Sequence, residues 1–256
     1  MATILAEYDR RYDSGLIRPD AAQRAVAARL DQLASELTAQ APNSGLLARF
    51  RKPPAPPKGL YSHGEVGRGK TMLMDLFYDT VDFSPKRRVH FHAFMQDVHR
   101  RLHDARQSHA QDAIAPVARA LAKEARLLCL DEMQITDIAD AMIIGRLFEG
   151  LLAAGTVIVT TSNLAPDQLY RNGLNRQLFL PFIALIEDRL DVMALNGPVD
   201  YRRDRLGVQD TWLVPNGTDA TRQLSAAFFR LTDYPPEDSA HVPSEEMTVQ
   251  GRTLHV

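Results

Sequence analysis

The sequence predicts an α/β protein: a parallel sheet flanked by helices. Three observations carry that prediction. Strand-length apolar runs alternate with segments of helical periodicity, the pattern of βαβ units. Two of those runs, residues 127–130 and 156–161, are continuously apolar or β-branched, as strands buried on both faces are. A glycine-rich turn, Gly64 to Gly69, joins one short strand to a helix.

Taken in order, residues 18–40 read as helix, because Val26, Leu30, Leu33 and Leu37 share one face. Arg51-Lys52-Pro53-Pro54-Ala55-Pro56-Pro57 then removes amide donors and fixes φ, which makes an extended linker. Residues 59–63 read as strand and 71–78 as helix. Residues 88–91 follow as strand, 94–106 as helix and 114–125 as an alanine-rich helix. Residues 127–130 form a buried strand. Thr136 or Asp137 caps a helix that Gly155 stops after residue 154. Strand 156–161, a helix over about 177–188 and strand 192–195 complete the alternation. Past Leu206 the texture changes: 211–214 and 253–256 are strand-like and 220–231 is helical. The expected organisation is an N-terminal helical arm over 1–50, a Pro-rich linker over 51–57, an α/β core over 58–205, and the start of a C-terminal region over 206–256.

Composition excludes several classes. Of 256 residues, 45% are hydrophobic and 24% charged, so the chain is neither disordered nor collagen-like. Cys129 is the single cysteine, which excludes an intrachain disulfide and fits a reducing compartment. The formal net charge of −2 gives no global pull toward nucleic acid. The longest stretch without Asp, Glu, Lys or Arg runs over 150–166, short of the roughly 20 apolar residues a membrane span needs. Glu7 and Asp9 stand where a leader would carry basic and apolar residues. The expectation is a cytoplasmic protein without an integral membrane segment, peripheral membrane contact staying open.

The residues that carry chemistry begin with Gly64-Glu65-Val66-Gly67-Arg68-Gly69-Lys70-Thr71, which matches G-x-x-x-x-G-K-[ST]. Its glycines let backbone amides turn in on phosphate oxygens, and the following helix presents its positive end to the same anion. Lys70 is the candidate ligand of the β- and γ-phosphates of ATP, and Thr71 of Mg²⁺. The run Leu127-Leu128-Cys129-Leu130-Asp131-Glu132 delivers two carboxylates to a strand's C-terminal end, where open α/β sheets bind ligands. Asp131 is the candidate Mg²⁺ residue and Glu132 the candidate general base. Asn163, after strand 156–161, is placed to orient water near the γ-phosphate if that strand lies beside the acidic one. Arg171 and Arg176 precede a helix and are candidate arginine fingers, Arg176 the preferred one. Lys86-Arg87-Arg88 with His90, His92, His99 and His103 is the most basic local stretch, with His99 and His103 at a metal-capable spacing on a helix. A solvated helix face accounts for it more simply.

Several strings go beyond a generic phosphate loop. Residues 60–75, LYSHGEVGRGKTMLMD, closely resemble the ZapE family of AAA+ ATPases. So do HFHAFMQDVH (90–99), LCLDEMQITDIADAM (128–142), TSNLAPDQLY (161–170) and GLNRQLFLPFI (173–183). The family comprises bacterial cell-division ATPases and related mitochondrial AFG-like ATPases, and the resemblance covers roughly residues 18–256. It implies ATP hydrolysis, homo-oligomer formation and, for the bacterial branch, action on the tubulin-like division protein FtsZ. Met133 replaces the Phe usual after the acidic pair, a volume-tolerant change. By that resemblance, family members continue into a helical C-terminal region expected to supply a further sensor residue, and the expectation is that this sequence is either a fragment or has lost that region. Two other readings stay open: a helicase-loader-like ATPase acting on DNA, resting on the basic stretch 86–106, and a nucleotide-dependent interaction module that does not hydrolyse.

Overall fold

A computed structural model describes residues 3–17, 19–39, 55–107, 112–195, 217–232, 246–249 and 252–255. The chain divides into two compact units, residues 1–198 and 199–256.

The first unit is a five-stranded parallel sheet. Its strands are β1 (Gly59–His63), β2 (Lys86–His90), β3 (Leu127–Asp131), β4 (Val157–Ser162) and β5 (Leu190–Ala194), in the order β2-β3-β4-β1-β5. Successive side chains along a strand face opposite sides of a sheet, and here each side meets its own set of helices. Leu60, Leu127, Cys129, Val157 and Val159 pack with α1 (Ile4–Asp13), α2 (Ala21–Ala39) and α3 (Lys70–Thr80). Tyr61, Leu128, Leu130 and Ile158 pack with α4 (Phe91–Gln107), α5 (Ile114–Glu124), α6 (Ile138–Ala153) and α7 (Leu180–Arg189). The continuous apolar runs were the signature of this two-sided burial. Burial pushes the Cys129 thiol up to about 12, so it is an inert core group.

Most elements match the sequence reading, with shifted ends. Asp137 caps α6, its Oδ1 accepting from the Ala139 amide at 2.6 Å. β2 starts two residues earlier than expected and stops at His90. Phe91 instead opens α4, because Phe91, Phe94, Met95, Val98 and Leu102 form one buried helical stripe. The segment after Asn175 divides into a 3₁₀ turn, Arg176–Leu178, and α7, which carries Pro181 in its first turn. β5 follows α7 directly, so it begins at Leu190 rather than residue 192. α1 lies within the helical arm expected over 1–50, ahead of the helix read from residue 18: Thr3 caps it, and Ile4 and Tyr8 bury against α2 and α3.

In the second unit, α8 (Thr218–Thr232) is described, with an antiparallel pair, β6 (Glu246–Val249) and β7 (Arg252–His255). β6 had no counterpart in the sequence reading. The strand expected at 211–214 lies outside the described residues.

Candidate functional site

The sheet order places β4 between β1 and β3, so the ends of the three motif-bearing strands are neighbours. Backbone bonds fix them together. The Gly64 amide donates to Ser162 O at 3.2 Å, and the Met133 amide to Thr161 O at 2.7 Å. The Glu132 amide donates to Thr161 Oγ1 at 3.0 Å, and Ser162 Oγ to Met133 O at 2.7 Å.

After β1 the chain turns through Gly64–Gly69 into α3. A Cβ on Gly64 would stand 2.5 Å from Leu195 O, so only glycine fits there. Gly69 holds φ +81° at the N-cap of α3, a left-handed conformation that favours glycine. The helix beyond it presents first-turn amides that have no acceptor within the helix. Glu65 and Val66 are exposed at the crest, and Arg68, largely buried, pairs with Glu65 at 2.9 Å. Lys70 is only 8% exposed, yet it lies within the loop rather than in the apolar core. Its Nζ donates to Gly64 O at 2.5 Å and Glu65 O at 2.7 Å. Thr71 stands exposed on the first turn of α3. Beside the loop, burial pulls His63 below its ordinary value; Asp167 opposes this and Lys70 adds to it.

β3 ends on Asp131, which is 4% exposed. Arg88 on β2 holds it: Arg88 Nε donates to Asp131 Oδ2 at 2.7 Å while Nη1 reaches Asp75 Oδ1 of α3. Desolvation works against the Arg88 charge, but the hydrogen bonds to Asp131 and Asp75 outweigh it and raise its pKa. Glu132 takes φ +57°, left-handed backbone that costs a non-glycine residue about 1–3 kcal/mol. That turn exposes its side chain, and with Asp131, His90 and His92 it lines a cavity of about 470 Å³. Asn163 is exposed immediately after β4.

The arginines lie further along. The Tyr61 hydroxyl donates to Leu164 O at 2.8 Å and anchors the segment after β4. Burial raises the Tyr61 pKa, so the hydroxyl remains a donor. Arg171 donates to Gln168 Oε1 at 2.8 Å and Arg176 Nη2 to Asp167 O at 2.6 Å. Each arginine is thus bonded within its own segment.

Four arginines of the basic stretch, Arg87, Arg88, Arg100 and Arg101, meet carboxylates. Arg87 pairs with Asp97 and Glu124, and Arg101 with the same two carboxylates. His99 donates to Asp140 at 2.6 Å, and His103 meets Gln107, so the two rings turn to different partners. Among the described residues no group of three His, Cys, Asp or Glu is placed to hold a metal ion.

Sequence reasoning missed two residues of this region. Arg88 was assigned to a surface patch, and nothing local ties it to Asp131 forty-three positions away. Gln23 lies against the phosphate loop, its Nε2 donating to Arg68 O at 3.1 Å. A signal for it existed, since Gln23 is a polar residue on the same helical face as Val26, Leu30, Leu33 and Leu37.

A parallel sheet in this order, with a phosphate-binding loop after β1 and an acidic pair after β3, is the fold of a P-loop protein of the AAA+ type. The AFG1-like ATPase family model matches residues 2–256, and the chain belongs to that family. It is 38% identical to the cell division protein ZapE of Escherichia coli, over 99% of this chain and 72% of ZapE. It is 45% identical to an uncharacterized protein of Schizosaccharomyces pombe over 79% of this chain, which spans 45% of that relative's length. Among solved structures, the replication initiator DnaA bound to AMPPCP and single-stranded DNA superposes with a TM-score of 0.51 at 14% identity. That match covers 86% of this chain and 65% of DnaA, and it is a likeness of fold. Among the described residues, no helix is long and apolar enough to cross a membrane.

Proposed function

We propose that the protein binds and hydrolyses ATP at the joined ends of β1, β3 and β4, as a homo-oligomer that remodels a protein partner in the cytoplasm. The observation that carries this is the convergence of the three motifs through the Gly64–Ser162 and Glu132–Thr161 bonds. The donor set fits a nucleotide: glycine where a Cβ would collide, helix N-terminal amides, and one lysine held by exchangeable carbonyls. The Thr71 hydroxyl and the Asp131 carboxylate are hard oxygen donors of the kind Mg²⁺ takes. When bound there, Mg²⁺ neutralises charge on the phosphates.

Each residue then has one task. Lys70 exchanges its contacts with Gly64 O and Glu65 O for phosphate oxygens, supported by the amides of residues 64–69. Arg88 orients Asp131. Glu132, lifted into the open by its left-handed backbone, accepts the proton of the attacking water. Asn163 orients that water. Arg176 of a neighbouring subunit stabilises charge on the transferring phosphoryl group. The partner, by likeness to ZapE, belongs to cell division, and FtsZ is the one the family resemblance indicates. The DNA-directed reading loses its support, because Arg87, Arg88 and Arg101 are matched by carboxylates.

Steady-state phosphate release, with and without FtsZ, tests the proposal. Wild type turns over, and FtsZ changes the rate. Lys70→Ala loses ATP binding or hydrolysis while its thermal midpoint stays near wild type. Glu132→Gln keeps ATP bound and slows hydrolysis by about 10²–10⁴. Full turnover in folded Lys70→Ala overturns the loop assignment. Equal loss of affinity and rate in Glu132→Gln makes Glu132 structural. ATP binding without phosphate release leaves an interaction module.

A further inference from the structure

We infer that Gln23 is a positioning residue for the phosphate-binding loop, acting through the Arg68 carbonyl, so that α2 sets how tightly the loop holds a nucleotide's phosphates. The inference rests on the function proposed above and goes a step further into the same site.

A loop that turns its amides inward on an anion turns carbonyls outward, and each outward carbonyl needs a donor from another part of the chain. For Arg68 O that donor is Gln23 Nε2, at 3.1 Å. Gln23 is 4% exposed, on the face of α2 that otherwise carries Val26, Ala27 and Leu30. An apolar residue would fill that position without the cost of burying an amide, so the hydrogen bond is the reason for a glutamine there. The amide's orientation is also set. Gln23 Oε1 faces the Tyr8 hydroxyl of α1 at 3.3 Å, and that hydroxyl also reaches Asp20 O at 3.3 Å. With its oxygen accepting from Tyr8, Gln23 has its NH₂ directed at the loop.

The fit extends to the next residue. A Cβ on Gly69 would stand 2.8 Å from Gln23 Nε2. Gly69 is therefore required both by its φ of +81° and by the amide packed against it. Arg68 and Gly69 lead directly into Lys70 and the first turn of α3. Holding the Arg68–Gly69 peptide fixes where Lys70 and the first-turn amides point. The contact crosses 45 residues, from the helical segment ahead of the proline linker to the loop behind it.

The test measures ADP affinity and thermal unfolding of the whole chain for wild type, Lys70→Ala, Gln23→Leu and Tyr8→Phe. Wild type binds ADP and Lys70→Ala does not, which establishes the site. Gln23→Leu, with Arg68 O left without this donor, weakens ADP about tenfold in protein that is still folded. Tyr8→Phe, which keeps the amide and removes the hydroxyl's contacts with Gln23 Oε1 and Asp20 O, weakens it about two- to threefold. A merely structural glutamine would lower the thermal midpoint and leave the ADP affinity of the folded protein unchanged, and that result overturns the inference while the proposed function stands. If Gln23→Leu does not fold, unchanged ADP affinity in Tyr8→Phe overturns it in the same way. If wild type binds no ADP, the proposed function fails and the inference fails with it.

Discussion

Two regions of the first unit are rich in arginine, and they treat it in opposite ways. In β2 and α4 four guanidinium groups meet carboxylates. Arg88 meets Asp131 and Asp75, Arg87 and Arg101 meet Asp97 and Glu124, and Arg100 meets Asp97. In the segment between β4 and α7, Arg171 is held by a side-chain amide and Arg176 by a main-chain carbonyl. Arg176 Nε is buried with no hydrogen-bond partner. A cation matched by carboxylates is spent within the fold, whereas one held by neutral groups keeps its charge for an incoming anion. Local charge density in a sequence therefore says little about surface potential until the partners are known.

Breaking the second region has the largest expected effect. If Arg176 completes a neighbour's site, Arg176→Ala lowers the phosphate-release rate by about 10³–10⁵, the usual worth of such an arginine. Stability changes by about 1 kcal/mol, the worth of the hydrogen bond to Asp167 O that is lost. In mixtures, mutant subunits depress wild-type activity more than dilution predicts, and the rate per subunit rises with protein concentration. Strictly proportional mixing makes Arg176 a local strut, and the finger is then Arg171 or another residue.

Breaking the first region moves stability, and at Arg88 it also frees Asp131 from the group that orients it. Arg88→Ala strips a buried carboxylate of its counter-ion, and losing one partner of such a pair costs about 3 kcal/mol. Arg88→Lys keeps the charge and loses the fork, so it recovers part of that. Urea unfolding of both variants reads this directly. Combined neutralisation of Arg87 and Arg88 should lower stability without removing any salt-dependent DNA affinity. A DNA affinity lost with the fold intact would reinstate the DNA-directed reading.

The same contrast explains what the sequence made legible. The phosphate loop, Asp131–Glu132 and the buried strands are local patterns, since glycine spacing and apolar runs report their own backbone and burial. The neighbouring of β4 with β3 was legible only as a condition on Asn163, and its neighbouring with β1 not at all, because strand order is a property of the whole sheet. The carboxylate partners of Arg87 and Arg88 lie 10–43 positions away, on other elements. No periodicity marks such pairs, so the stretch read as a free basic patch. α1 was legible in principle from Ile4 and Tyr8 four apart, but two apolar positions are a faint stripe. Gln23 announced itself only as a misfit on a greasy face.

The smallest expected effect sharpens the comparison at α4. Asp97 is 7% exposed and accepts from Arg87, Arg100 and Arg101. Burial alone would raise its pKa, but the hydrogen bonds from Arg101 and Arg87 outweigh it and hold the carboxyl below its ordinary value. The sign follows by linkage. A carboxyl whose pKa is lower folded than unfolded stabilises the fold above its unfolded pKa, and loses that contribution as pH falls through the folded value. Asp97→Asn should therefore cost about 1 kcal/mol at pH 7, the modest size reflecting how solvent screens the half-exposed arginines. The gap between wild type and variant should close as pH drops below about 4, the usual carboxylate range. Unfolding at pH 7, 5, 4 and 3 reads that closure. A gap that stays constant with pH would mean that Asp97 acts through shape alone, and that Arg87, Arg88 and Arg101 owe their neutralisation to Glu124 and Asp131.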